Sequence, residues 1–155
     1  MFSKLVVLTS DNAFNHLQVD AVRSALNAMG SKDVEIVIAE TGWPYKGDSN
    51  EVGTSVENAK AYNGNLIAHL RSMVGTPLMP GKSVDTYLFA MYDEDLKPGP
   101  TSERSFGLFK LDSTMAYDVG LSKTSQQVEI WPQKGCVWFV QCSETVLNIK
   151  SSSCK

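Results

Sequence analysis

The chain is short of long apolar runs, of positive charge, of histidine and of cysteine. A membrane-crossing helix takes about 20 consecutive apolar residues, and no stretch here approaches that. The run Leu5-Val6-Val7-Leu8 follows a single lysine, Lys4, and leads to no clear small-residue cleavage site, so it makes a poor secretion signal. The formal net charge of −3 argues against the basic footprint of a nucleic-acid binder. The cysteines Cys136, Cys142 and Cys154 all fall in the last twenty residues, without Cys-x-x-Cys spacing or a nearby histidine, which argues against a zinc site. An odd number leaves two states open: reduced thiols, or one disulfide with a spare thiol. His16 and His69 have no partner at ligand spacing and read as structural. No glycine-containing calcium loop is present. The sequence therefore points to no metal and no other cofactor.

What is present is the composition of an ordinary globular domain, 43% hydrophobic and 20% charged over 155 residues. Leu17, Val22, Leu26 and Met29 follow a helical period and predict a helix over residues 17–29, with Gly30 at the left-handed C-cap position. The β-branched run 34–39 predicts a parallel strand covered on both faces, broken by Thr41-Gly42-Trp43-Pro44. After a polar loop, Thr54 or Ser55 is placed to cap a long helix over 56–74. Its apolar positions include Ala59, Tyr62, Leu66, Ile67 and Leu70. Residues 85–91 predict a second strand, 97–100 a turn and 107–109 a short extended piece. Helix and strand in alternation imply an α/β fold with right-handed crossovers and a parallel sheet. Two such strands cannot close a domain, because both faces and both edges need neighbours.

Two groups of residues carry chemistry. Glu40 ends the first predicted strand beside a sharp turn, and in (β/α)8 enzymes that end of the strand holds the active site. Position alone does not separate such a carboxylate from a solvated strand-end glutamate. Tyr92-Asp93-Glu94-Asp95, with Lys97, Glu103 and Arg104 behind it, begins where the second strand ends. By itself it reads equally as a solvated acidic loop. Parallel alignment, however, brings both strand ends to one rim. Glycoside hydrolysis uses two carboxyl groups flanking the bond, and a nearby cation favours the ionised one. Lys97 and Arg104 are candidates for that cation. Trp43, Tyr45, Tyr92 and Phe106 flank the same loops, where aromatic rings either pack on sugar C–H faces or serve as core and lid residues.

Two long blocks carry a family resemblance. Glu35-Ile36-Val37-Ile38-Ala39-Glu40-Thr41-Gly42-Trp43-Pro44 resembles the signature strand of glycoside hydrolase family 17. Tyr87-Leu88-Phe89-Ala90-Met91-Tyr92-Asp93-Glu94-Asp95-Leu96-Lys97, continuing through Glu103-Arg104-Ser105-Phe106-Gly107-Leu108-Phe109, resembles that family's last barrel strand and its following loop. The helix at Gln18-Val19-Asp20-Ala21-Val22 and the segment Tyr117-Asp118-Val119-Gly120-Leu121 also fit. The resemblance implies a (β/α)8 TIM barrel represented here by its last two strands and flanking helices. It implies a retaining, endo-acting hydrolase of β-1,3-glucan polysaccharide, found outside the cell or in the cell wall. Glu40 is then the nucleophile. Glu94, Lys97 and Glu103 support the site, and Trp43, Tyr92 and Phe106 contact substrate. Asp95 stands where the family has asparagine, adding a negative charge beside Glu94.

The resemblance divides the chain into a divergent N-terminal segment 1–15, a barrel portion 16–125 and a divergent tail 126–155, expected to be irregular. In the tail Trp131 and Gly135-Cys136-Val137-Trp138 faintly resemble the start of a Cys-rich carbohydrate-binding module. The family's acid/base glutamate follows an asparagine on an earlier strand, and no such motif precedes Glu40. An inactive glucan- or protein-binding fragment is therefore the alternative to an enzyme, and an incomplete reading frame is a third.

Overall fold

A computed structural model describes residues 4–8, 12–121, 137–143 and 146–151. The predicted features at Trp131, Cys136 and Cys154 lie outside them. The chain runs β1 (Lys4–Leu8), α1 (Asn12–Ala28), β2 (Glu35–Thr41), α2 (Val56–Ser72), a small hairpin β3 (Gly75–Thr76) and β4 (Met79–Pro80), then β5 (Asp85–Phe89), a 3-10 turn (Thr101–Arg104), β6 (Val137–Ser143) and β7 (Val146–Ser151). The main sheet has the order β1-β2-β5-β6-β7. The pairs β1–β2, β2–β5 and β5–β6 are parallel, and β6–β7 is antiparallel. β1-α1-β2 and β2-α2-β5 are thus two successive strand–helix–strand crossovers, the connection that parallel neighbours require.

This α/β sheet is larger than the two strands expected from sequence. β1 escaped notice because its sequence shows no polar alternation, and the four apolar residues after Lys4 do not identify a strand alone. The tail was expected to be irregular, yet its run of β-branched and aromatic residues at 137–140 suits a strand and pairs with β5 from Thr86–Val137 to Phe89–Val140. The first helix begins at Asn12, earlier than its apolar stripe indicated. The sequence signals of α2 are realised closely. Ser55 caps it by accepting from the Asn58 amide at 3.2 Å. It stops at Ser72, where the left-handed φ of 56° at Met73 ends the helix two residues before the apolar pattern does.

The core lies between α2 and the sheet. Tyr62, Leu66, Ile67 and Leu70 of the helix pack with Leu88 of β5, Leu108 and Tyr117. Burying each large aliphatic side chain contributes about 1.5–3 kcal/mol. α1 packs Val19 against Ile36, Ile38 and Met79. Its Arg23 is buried, but the guanidinium donates to the Lys32 carbonyl at 3.0 Å, the Val34 carbonyl at 2.7 Å and the Met79 sulfur at 3.3 Å. Those bonds compensate the lost water and fasten the helix to the entry of β2.

The register of β2 slips against both neighbours at the same place. Val7 faces Ile38 but Leu8 faces Glu40, and Ile38 faces Thr86 but Thr41 faces Leu88. One extra residue therefore sits in β2 around Ala39-Glu40. A bulge of this kind bends the strand and re-aims the side chain that follows. Ile36, Val37 and Ile38 are buried, Glu40 is exposed, and Thr41 is buried again.

Candidate active site

Because β1, β2 and β5 run in parallel, their carboxyl ends share one edge of the sheet, and the loops after β2 and β5 build a cleft there. Its volume is about 760 Å³. Glu40, Trp43, Glu51, Phe89, Lys97, Glu103 and Phe106 line it. Gly42 lets the two strand ends approach: a Cβ there would lie 1.8 Å from the Phe89 carbonyl oxygen. Thr41, the last residue of β2, hydrogen-bonds the Tyr62 hydroxyl of α2 at 2.5 Å. Trp43 stacks on Tyr62 with 5.5 Å between ring centroids and donates its indole N–H to the Gly53 carbonyl at 2.9 Å. The strand end and the indole wall are thereby held by the helix behind them.

Opposite stands a charged group on the loop after β5. Lys97 Nζ lies 2.8 Å from Glu103 Oε2 and 3.9 Å from Glu94 Oε2, and 4.9 Å above the Phe89 ring. Partial burial works to lower the Lys97 pKa. The hydrogen bond and charge of Glu103, followed by the charges of Glu94 and Glu40, outweigh that burial and raise it above the ordinary lysine value. A lysine kept protonated among three glutamates, one of them exposed at the cleft, is a local cation for an ionised carboxylate.

The loops are stitched to each other by main-chain and side-chain bonds. Tyr45 N donates to Ser105 O, Ala90 N to Phe106 O, and Leu108 N to Ala90 O. Asp93 is 9% exposed. It accepts from the Tyr45 hydroxyl at 2.5 Å and from the Gly107 amide at 3.0 Å. Burial, the largest influence, raises its pKa against these bonds; the Tyr45 phenol is raised as well, first by burial and then by Asp93. Asp93 is a structural carboxylate joining the two loops.

The structure therefore brings Glu40, Lys97 and Glu103 together with Trp43 and Phe106 around one opening. Glu94 stands behind Lys97, its side chain 11% exposed, and does not line the cleft. Tyr92, expected at the wall with the other aromatics, does not line it either. Past Phe89 the chain leaves the sheet and Tyr92 bridges to Phe109, whose ring lies 5.9 Å from its own. Glu51 and Ser102 were missed as cleft residues. They sit in polar loops with no periodicity to mark them, and only the acidic residue type offered a signal. His16 and His69, read as isolated, meet with ring centroids 4.1 Å apart and planes tilted by 49°, beside a second cavity of about 190 Å³ between the helices and the sheet. Burial, then the proximity of His16, holds His69 below the ordinary histidine value. Among the described residues no group of three or more His, Cys, Asp or Glu is placed to hold a metal, and no helix is long and apolar enough to cross a membrane.

A rim of carboxylates, a lysine and aromatic rings at the carboxyl ends of parallel strands is the arrangement of a carbohydrate-processing α/β protein. The comparisons narrow the class: the family model of glycosyl hydrolases family 17 matches residues 2–121, and the chain belongs to that family. The match takes in most of the segment 1–15 that the sequence had set apart. The chain is 77% identical over 108 residues to glucan endo-1,3-beta-glucosidase 7 of Arabidopsis thaliana, covering 70% of this chain and 21% of that protein. It is 72% identical over 109 residues to a glucan endo-1,3-beta-D-glucosidase of Olea europaea, covering 70% of this chain and 24% of that one. Among solved structures it resembles CJP38, a beta-1,3-glucanase and pollen allergen of Cryptomeria japonica, with a TM-score of 0.63 and 42% identity over 70% of this chain and 33% of that one. The chain thus spans between a fifth and a third of the length of these relatives.

Proposed function

We propose that this chain carries the nucleophile side of a retaining, endo-acting β-1,3-glucan hydrolase site. The observation that supports it most is the convergence of Glu40, Lys97, Glu103, Trp43 and Phe106 on one cleft. In this reading β1, β2 and β5 form an arc of a (β/α)8 barrel, and Glu40 attacks the anomeric carbon. Lys97 sets a positive charge at the cleft that Glu40 lines, while Glu94 and Glu103 hold Lys97. Trp43 and Phe106 receive sugar faces. The substrate is β-1,3-glucan, which places the protein outside the cell or in the cell wall. No cofactor takes part.

The acid that protonates the leaving oxygen is not among these residues. Glu51 lines the cleft, but the Ser102 hydroxyl and then the Asp48 amide hold its pKa below the ordinary value, so it is an anion at working pH. Glu103 is engaged by Lys97. Without a general acid, catalysis forgoes about 10²–10⁴-fold. The isolated chain is expected to release little reducing sugar from laminarin and to lose what it releases in Glu40→Gln. Turnover near that of a full-length glucanase would overturn the assignment of the acid, and turnover insensitive to Glu40→Gln would overturn the nucleophile.

A second reading, a non-catalytic glucan- or protein-binding fragment, is favoured by one feature of the rim. Val52 is 99% exposed beside Trp43 on the lip of the cleft, an apolar contact offered to a ligand. Retention on insoluble β-1,3-glucan with no product, unchanged in Glu40→Gln and lost in Trp43→Ala, selects this reading over the first.

A further inference from the structure

The Lys97–Glu103 pair is fixed at both ends, and the two anchors differ in kind. On the lysine side, Arg104 Nη1 donates to the carbonyls of Lys97 at 3.1 Å and Gly99 at 2.8 Å, so the turn carrying the ammonium is tied within its own loop. On the glutamate side the anchor comes from the other loop. Glu51 Oε1 accepts from the Ser102 hydroxyl, and Oε2 accepts from the Ser102 amide at 3.3 Å and the Asp48 amide at 2.7 Å. Asp48 in turn accepts from the Thr101 hydroxyl at 2.5 Å and the Thr101 amide at 3.2 Å. Ser102 is 8% exposed and directly precedes Glu103. Four charge-assisted hydrogen bonds thus join residues about fifty positions apart, with the Asp48 amide to Glu51 bond tying the two acids to each other, and each is of the stronger kind because the acceptor is ionised.

We propose that Glu51 is a positioning residue: with Asp48 it clamps the lip at 46–54 to Thr101-Ser102, and so holds Glu103 on Lys97 and sets the width of the cleft. The inference rests on the reading that Lys97 and Glu103 serve Glu40. Glu51 is not the missing proton donor, since both of its oxygens already accept. Its part is to make the two loops one wall. Removing it frees Ser102, and Glu103 moves with Ser102 because the two are adjacent. The ammonium then loses its nearest anion, and the lip that carries Val52 and supports Trp43 through Gly53 is no longer held opposite Phe106.

The test uses the full chain labelled with 13C at lysine side chains. The Lys97 titration is followed by NMR in the wild type, Glu51→Ala, Glu51→Gln, Ser102→Ala and, as the reference for a lost anion, Glu103→Gln. Glu51→Ala and Ser102→Ala are expected to bring the Lys97 midpoint down toward that of Glu103→Gln. Glu51→Gln, which keeps an acceptor for Ser102, retains most of the wild-type value. Laminarihexaose binding should weaken about tenfold in Glu51→Ala, equivalent to 1.4 kcal/mol. An unchanged Lys97 midpoint in both Glu51→Ala and Ser102→Ala, while Glu103→Gln moves it, overturns the clamp. The titration needs no sugar, so wild-type chain that binds no laminarihexaose counts against the glucan reading and leaves the clamp to be judged by the titration. Ser102→Ala removes a single hydroxyl and guards against a misfolded Glu51→Ala.

Discussion

Two carboxylates stand near the ends of two neighbouring strands, and the structure uses them in opposite ways. Glu40 near the end of β2 is exposed to the cleft, while Asp93 beyond the end of β5 is buried and accepts from Tyr45 and Gly107. Both sit where an α/β sheet presents chemistry, so nearness to that edge does not decide the role. What decides is the chain's path past the edge. β2 bulges at its end and turns Glu40 outward. The segment after β5 instead folds back along 106–109 and closes over Asp93. A carboxylate given partners inside the fold is a fastener; one presented to an open cleft beside a lysine is available to a substrate.

The contrast is broken most severely where the two regions touch. Gly42→Ala drives a Cβ into the Phe89 carbonyl oxygen, backbone that has nowhere to move. A loss of about 3 kcal/mol or more is expected, read as a lower denaturant midpoint with an unchanged slope. Equal stability of Gly42→Ala and wild type would show that the strand ends are not in such close contact.

The two carboxylates themselves sharpen it. Asp93→Ala leaves the Tyr45 hydroxyl and the Gly107 amide without their acceptor, and should cost about 2–3 kcal/mol. Glu40→Ala, at an exposed site, should change stability by no more than about 0.5 kcal/mol while removing any hydrolysis. Thermal melts of the pair, run together, check both, and a reversed order would reverse their roles.

The smallest effect is in pH. Hydrogen bonds from Thr101 hold Asp48, and those from Ser102 and Asp48 hold Glu51, below their ordinary values. Their contribution is complete above the unfolded carboxylate range, near pH 4, and is lost as pH falls through the lower folded values. Asp93 works the other way. Its pKa is raised chiefly by burial, so its contribution is greatest below the unfolded value and declines as pH rises through the folded one. Acidification from pH 6 to 3 should therefore lower amide protection factors in 46–54 and 101–102 before it does so at Asp93 and Gly107. Simultaneous loss of protection in both regions would refute the separation.

α2 was legible because it repeats a helical period over many residues, β2 because a β-branched run ends at a Gly-Trp-Pro break, and the cap at Thr54 or Ser55 because a short hydroxyl before an apolar helix has one common use. Glu40 and its neighbours were found through motif blocks long enough to carry a resemblance. β1 was not legible, since its run of apolar residues looks the same in a strand, a helix or a leader. Tyr92 was misplaced because strand alternation stops at Phe89 and says nothing of side chains beyond it. Glu51, Asp48 and Ser102 showed only as polar loop residues. Their partners lie about fifty residues away, and no local pattern records a contact at that range.

Residue periodicity and type alone determined that this chain alternates helix with buried strand and carries Glu40 near a strand's end beside a Gly-Trp-Pro turn. Only tertiary structure decided which way that glutamate faces, which aromatics reach it, and which of the surrounding acids are spent on holding the walls. Periodicity is a local property imposed by backbone geometry, whereas the direction of a side chain past a bulge and the pairing of distant loops depend on which segments the sheet brings together.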